Sequence, residues 1–243
     1  MKMDTRVFAD IDALSRAALA ELLRVMGEAV RGRDRFLIAL SGGHTPEKLY
    51  RSWADSERTS QRTAWEKVHL FWGDERYVSK DDPLSNYRMT REALIAHVPI
   101  PSQNVHRMPG REDFPTPEAA ADAYEAELRK FFGSSSPAFD LQLLGLGVEG
   151  HTASLFPGSP ALEDPKRWVR AIHAPAKPPE RLTLTPIVLN QGRNTLFLVS
   201  GADKRDIIRA LHSIPESMPS PYPAARIRPA SGVVWFLDQA AAS

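Results

Sequence analysis

No cysteine occurs among the 243 residues, which excludes disulfides and thiolate chemistry. The formal net charge is only +1, so there is no broad pull on nucleic acid or an anionic membrane. A phosphorylated ligand must therefore be held by locally placed cations. No apolar run approaches the roughly 20 residues that cross a bilayer. The N-terminus, Met1-Lys2-Met3-Asp4, passes into an amphipathic segment without the apolar stretch of a signal peptide. These absences lead us to expect a cytoplasmic protein with neither nucleic-acid nor membrane partners. There is no His-Glu-x-x-His and no cysteine pair, so no zinc site is suggested, and without Gly-x-Ser-x-Gly there is no serine-hydrolase elbow. Internal repeats and linker-like stretches are also missing, which predicts one domain over residues 1–243.

What is present suffices for a full core: 42% hydrophobic and 25% charged residues. Apolar runs alternate with helical periodicity. Residues 5–9 read as a short strand. Ile11, Leu14, Ala18, Leu22, Val25, Met26 and Ala29 recur at helical spacing up to Gly32. Phe36-Leu37-Ile38-Ala39-Leu40 is a strand, and Thr45 and Pro46 suit the N-cap and first position of a helix towards Trp53. The polar stretch 54–62 reads as a surface loop. Val68-His69-Leu70-Phe71-Trp72 is the next strand, and Ser85-Asn86 starts a helix over 87–97. Further strands are expected at 105–108, 139–144, 168–171, 181–184, 195–199 and 233–237. Helices are expected at 117–132, after Thr185-Pro186 and after Asp203, with a short C-terminal helical tail. Residues 134–137 and 215–223 read as loops. Strands that alternate with helices and end in glycine predict an α/β, Rossmann-like fold: a mainly parallel sheet flanked by helices, with ligands at the strand C-termini.

Three strand ends carry chemistry. Ser41-Gly42-Gly43-His44-Thr45-Pro46 exposes backbone N–H groups at a helix N-terminus, a geometry that binds phosphate. It lacks the lysine and spacing of a nucleotide P-loop, and an ordinary tight turn is the alternative. Gly73-Asp74-Glu75-Arg76 places two acids and an arginine together, either for a sugar phosphate or as a surface ion-pair cluster. Gly145-Leu146-Gly147-Val148-Glu149-Gly150-His151 is a literal G-x-G-x-x-G. The dinucleotide reading needs a long following helix and an acid at the end of the next strand. Pro157 truncates the first, and Ile172-His173 fails the second. His151 is then an acid/base group near neutrality or a turn histidine, with Glu149 placed to orient it. Arg181 and Lys204 stand at loop–element junctions, as a phosphate clamp or as solvated charges.

Taken as a series, the segments 40–46, 72–76, 85–89, 144–147 with 150–157, 181–185 and 201–204 resemble the motifs of 6-phosphogluconolactonases, in family order and across residues 5–240. Glucosamine-6-phosphate deaminases share the superfamily. Arg76 and the run Thr152-Ala153-Ser154-Leu155-Phe156-Pro157 are more similar to the lactonase branch. The lactonases usually carry Asp-Gly-His where this chain has Glu149-Gly150-His151. The resemblance implies hydrolysis of 6-phospho-D-glucono-1,5-lactone to 6-phosphogluconate, a step of the oxidative pentose phosphate pathway, without metal or organic cofactor. It implies His151 as general base, Asp74 and Glu149 as its catalytic partners, and Ser41, Gly42, Gly43, Thr45, Arg76, Arg181 and Lys204 as holding the phosphosugar. The expected partner is the small phosphosugar lactone, and the chain is expected to be a monomer or small homo-oligomer. A deaminase or isomerase and a non-catalytic phosphosugar-binding domain are the competing readings.

Overall fold

A computed structural model describes residues 4–60, 63–133, 135, 137–214 and 220–243. In chain order the elements are β1 (Asp4–Phe8), α1 (Ile11–Arg33), β2 (Phe36–Leu40), α2 (His44–Ser60), β3 (Val68–Trp72), β4 (Asp74–Arg76), α3 (Asn86–Ala93), β5 (Val105–His106) and α4 (Pro117–Phe132). There follow β6 (Leu141–Leu144), β7 (Val169–His173), β8 (Glu180–Leu184), α5 (Pro186–Leu189), β9 (Thr195–Val199), α6 (Arg205–Ser213), β10 (Val234–Asp238) and α7 (Gln239–Ala242).

Seven strands form one sheet in the order β1-β10-β9-β6-β2-β3-β5, and every pairing is parallel. All five residues of β2 and of β9 are buried, as a sheet covered on both faces requires. From β2 the order runs outward through β3 and β5. From β6 it runs the other way, through β9 and β10. The reversal lies between β2 and β6, and in open α/β sheets ligands bind in the crevice at the carboxyl ends of the strands at such a point. The expected mainly parallel α/β fold is what the chain adopts.

The helices form where caps and periodicity specify them. Asp10 accepts from Ala13 N at 2.7 Å to start α1, whose Leu14, Ala18, Leu22, Val25 and Ala29 enter the core. Thr116 caps α4 with Pro117 in its first turn.

Several sequence expectations are corrected. Residues 74–76, expected as the end of the 68–72 strand, form a strand of their own, which joins β8 and β7 in a second, antiparallel sheet. The change of sheet takes place at Gly73. Its N–H donates to Leu40 O of β2 (2.9 Å), while its carbonyl accepts from Leu184 N of β8 (2.8 Å). The stretch after Trp53 is no loop, because α2 continues to Ser60. The polar Glu57 is buried there and accepts from Thr63 Oγ1 (2.6 Å) and Trp65 Nε1 (3.3 Å), so its polarity serves an internal network. Helix α2 begins at His44, and Glu47 N bonds Gly43 O. Thr45 and Pro46 are thus the second and third helical residues rather than cap and first. The helix at Asn86 ends at Ala93 and gives way to a 3₁₀ turn, Ile95–His97. The strand at Val105 stops at His106. Asp203 caps nothing. It lies in a 3₁₀ turn, Ala202–Lys204, and its carboxylate pairs with Lys204 instead. Gln61, Arg62, Ser134, Ser136 and residues 215–219 of the expected loops lie outside the described residues.

The second sheet is tied down by Glu125 of α4. This buried carboxylate accepts from Trp168 N (3.0 Å), Val169 N (3.1 Å), Arg167 Nε (2.8 Å) and Arg129 Nε (2.9 Å). Burial alone would raise its pKa, but the two arginines and the two N–H groups outweigh that and hold it below the ordinary range. Glu125→Ala strands two buried N–H groups. It should cost roughly 2–4 kcal/mol in urea or thermal unfolding. A loss under about 0.5 kcal/mol would show that α4 does not anchor β7.

Candidate active site

A cleft of about 220 Å³ opens at the carboxyl ends of β2 and β6, at the reversal of strand order. Of the ten residues expected at the site, eight line it: Ser41, Gly42, Gly43, Asp74, Arg76, His151, Arg181 and Lys204. The other two do not. Thr45 is half-buried in the first turn of α2, and Glu149 is exposed beside His151.

The His151 turn is built on glycine. No helix follows β6; the chain makes tight turns, and Thr152 and Leu155 form an isolated bridge. Gly150 has φ +82°, and a side chain there would meet Tyr222 at 2.6 Å. Gly147 N bonds His151 O and Gly150 N bonds Gly147 O, both at 2.9 Å. The imidazole lies over Gly147, where a Cβ would fall 2.0 Å from Nδ1. On its other side the ring stacks on buried Phe156, with centroids 4.2 Å apart and planes at 27°. Glu149 Oε2 stands 3.1 Å from Nδ1, but the alignment falls short of a hydrogen bond. Burial holds the imidazole below its ordinary pKa. Glu149 and Asp74 pull it upward, and Arg181 adds to the lowering. His151 is therefore a neutral base near pH 7.

Asp74 is 6% exposed and projects from β4. The fully buried Ser154 hydroxyl donates to its Oδ2 at 2.6 Å, which fixes the carboxylate and leaves Oδ1 uncommitted. Between the bridge residue Thr152 and Ser154 sits Ala153, which lines the cleft with φ +48°, a sterically costly backbone for a non-glycine residue. Its neighbours impose it: Thr152 Oγ1 donates to Gly145 O (2.9 Å) while Ser154 reaches across to β4.

Beside Asp74 the cleft is cationic. Arg76 and Arg181 face each other directly across β4 and β8. Like charges so placed repel. Among the described residues neither has a carboxylate within ion-pair distance; Arg76 Nη1 donates to Leu84 O (2.6 Å) and Arg181 Nε to Pro178 O (3.1 Å). Burial, with Arg76 nearby, lowers the Arg181 pKa. The N-terminus of α2 adds its dipole, and no side chain among the described residues accepts from the N–H groups of Gly43, His44 or Thr45. Tyr50 fixes this turn: Ser41 N donates to its hydroxyl (3.0 Å), which donates to Ser41 O (2.9 Å). Two unpaired arginines and a free helix N-terminus make an anion site. Lys204 lines the same cleft, paired to Asp203 at 3.0 Å. Among the described residues no group of three or more His, Asp or Glu side chains is arranged to hold a metal ion.

The family model for glucosamine-6-phosphate isomerases/6-phosphogluconolactonase matches residues 9–236. The chain belongs to that family. It is 44% identical to a 6-phosphogluconolactonase of Synechocystis sp. over 94% of this chain and 92% of the relative. The solved 6-phosphogluconolactonase of Trypanosoma cruzi superposes with a TM-score of 0.85 at 30% identity, covering 99% of this chain and 96% of that one. A monomeric glucosamine-6-phosphate deaminase, 22% identical with a TM-score of 0.79, covering 99% of each chain, shares the fold.

Sequence reasoning gave no role to three residues that line or brace this cleft. Asn86 and Ser154 stood inside motif stretches, yet their contacts with Asp74 span 12 and 80 residues of chain. The positive φ of Ala153 left no signal in a residue type that rarely adopts it.

The geometry sets the titration of His151. Its imidazole should titrate below 6.5 when followed by NMR. Glu149→Gln removes an upward pull and should lower it further. A value above 6.5, or a rise in the variant, would contradict the geometry.

Proposed function

We propose that this chain hydrolyses 6-phospho-D-glucono-1,5-lactone to 6-phosphogluconate, with His151 as general base. The observation that carries the reading is the pairing, in one cleft, of an imidazole stacked on Phe156 with two arginines that have no carboxylate partner among the described residues, beside a helix N-terminus. Relatives named 6-phosphogluconolactonase along the whole chain support it.

The phosphate sits at the cationic end, on the N–H groups at the start of α2 with Arg76, Arg181 and Lys204. Asp74 Oδ1 takes a sugar hydroxyl or the attacking water. His151 removes a proton from that water as its oxygen bonds to C1 of the lactone. The carbonyl π pair moves onto oxygen to form the tetrahedral intermediate. That pair then returns, the bond between C1 and the ring oxygen breaks, and His151 gives its proton to the leaving ring oxygen. The carboxylic acid product then ionises. Glu149 stabilises the transient imidazolium through space. Backbone N–H groups of the glycine turn at 145–147 are candidates to face the oxyanion.

The reading is tested with freshly generated lactone, following acid release above spontaneous hydrolysis and ammonia release from glucosamine 6-phosphate in parallel. Acid release well above background without ammonia is expected; the reverse overturns the lactonase reading. His151→Ala should lower kcat about 10²–10⁴-fold with a much smaller change in KM.

The pH profile follows from the sign of the shift. The base acts when neutral, so kcat/KM should fall on the acid side, through a pKa below 6.5, and stay level through neutrality. Glu149→Gln should move that limb to lower pH. An acid limb that stays in place when Glu149 is changed would remove His151 as its origin. Arg181→Ala should raise KM far more than it lowers kcat, and an unchanged preference for phosphorylated over unphosphorylated lactone would remove Arg181 from the anion site.

A further inference from the structure

Asn86 opens α3 on the wall of the cleft and is 2% exposed. Its backbone N–H donates to Glu75 Oε1 (2.7 Å), and its Nδ2 donates to the Asp74 carbonyl (2.9 Å). The second bond fixes the amide, since only nitrogen can face a carbonyl. Oδ1 is therefore turned the other way. It is buried and has no hydrogen-bond partner among the described residues. It lies against Gly42, where an added Cβ would come within 2.0 Å of it, so the missing side chain at Gly42 is what leaves room for it. Buried acceptors are almost always paired, and this one sits in the cleft wall next to Asp74.

The amide is also held rigidly. Glu75, 3% exposed, accepts from the N–H groups of Arg76, Asn86 and Tyr87 (2.7 Å each) and from the Ser85 hydroxyl (3.1 Å), and so clamps the start of α3 to β4. An amide oxygen can only accept. The complementary group is a donor, and a ring hydroxyl of a sugar held in the cleft has that chemistry; Gly42 covers Oδ1 here, so the hydroxyl reaches it only as that turn gives way.

We propose that Asn86 Oδ1 accepts a hydrogen bond from a ring hydroxyl of the lactone and is a specificity-determining binding residue. The proposal rests on the lactone-hydrolase reading. Asn86 and Asp74 then form an acceptor pair for hydroxyls on one wall, apart from the donors that take the phosphate. A site built to bond a hydroxyl strongly rejects the analogue that lacks it, because its buried polar group is left unpaired.

The test compares kcat/KM for the 6-phospholactone with that for its 2-, 3- and 4-deoxy analogues. Wild type should disfavour at least one of them about 10²-fold or more. In Asn86→Leu that ratio should collapse at least tenfold, through loss of activity on the parent lactone with the deoxy analogue little affected. Asn86→Ser, which keeps a small polar residue, is measured in the same way if the leucine variant does not fold. A purely structural role for Asn86 slows all substrates alike and leaves every ratio unchanged, and that result overturns the proposal while leaving the hydrolase reading intact. Failure of wild type to hydrolyse the parent lactone overturns both, and is distinguished by that assay alone.

Discussion

The site depends on the chain changing sheets at one residue. Gly73 gives its N–H to β2 of the parallel sheet and takes its carbonyl's partner from β8 of the antiparallel one. The next three residues therefore leave the core and cross above the strand C-termini. That single step carries Asp74 and Arg76 over the crevice between β2 and β6 and sets Arg76 opposite Arg181. Were β3 to end in an ordinary βα turn, the acid and the arginine would lie on the rim. The Ser154 hydroxyl then closes the arrangement by tying the His151 loop to Asp74 on the second sheet.

Two opposed electrostatic environments follow. Among the described residues, two arginines of the cleft have no carboxylate partner and no side chain caps the helix N-terminus beside them, an arrangement that favours an anion. Near them an imidazole lies between Gly147 and Phe156, where burial lowers its pKa, and Asp74 supplies a carboxylate. Arg181 links the two: its guanidinium lies 5.7 Å from the Phe156 ring on which His151 stacks, and its charge adds to the lowering of the His151 pKa. In the proposed reading, a phosphate that neutralises Arg181 would offset this lowering when substrate is bound.

Contiguous features were legible in the sequence. Strands ending in glycine reported the parallel sheet, and local motifs reported eight residues that do line the cleft. Non-local features were not. The strand at 74–76 exists only because residues 181–183 pair with it. The stretch after Trp53 looks like a loop by polarity, and is helix because Glu57 finds buried partners beyond the helix end. Thr45 was expected at the phosphate from the family resemblance, and it lies in the first turn of a helix that begins at His44, two residues before the expected Pro46. Glu149, with its longer side chain, still reaches 3.1 Å from Nδ1, but from an exposed position and off the hydrogen-bonding line.

A crystal structure with 6-phosphogluconate bound tests the central claim most directly, because the two ends of the product mark the two ends of the cleft. The account predicts the phosphate against the N–H groups of Gly43 to Thr45 with Arg76 and Arg181, and the C1 carboxylate beside His151. A phosphate beside His151, or a product held without either arginine, would contradict it.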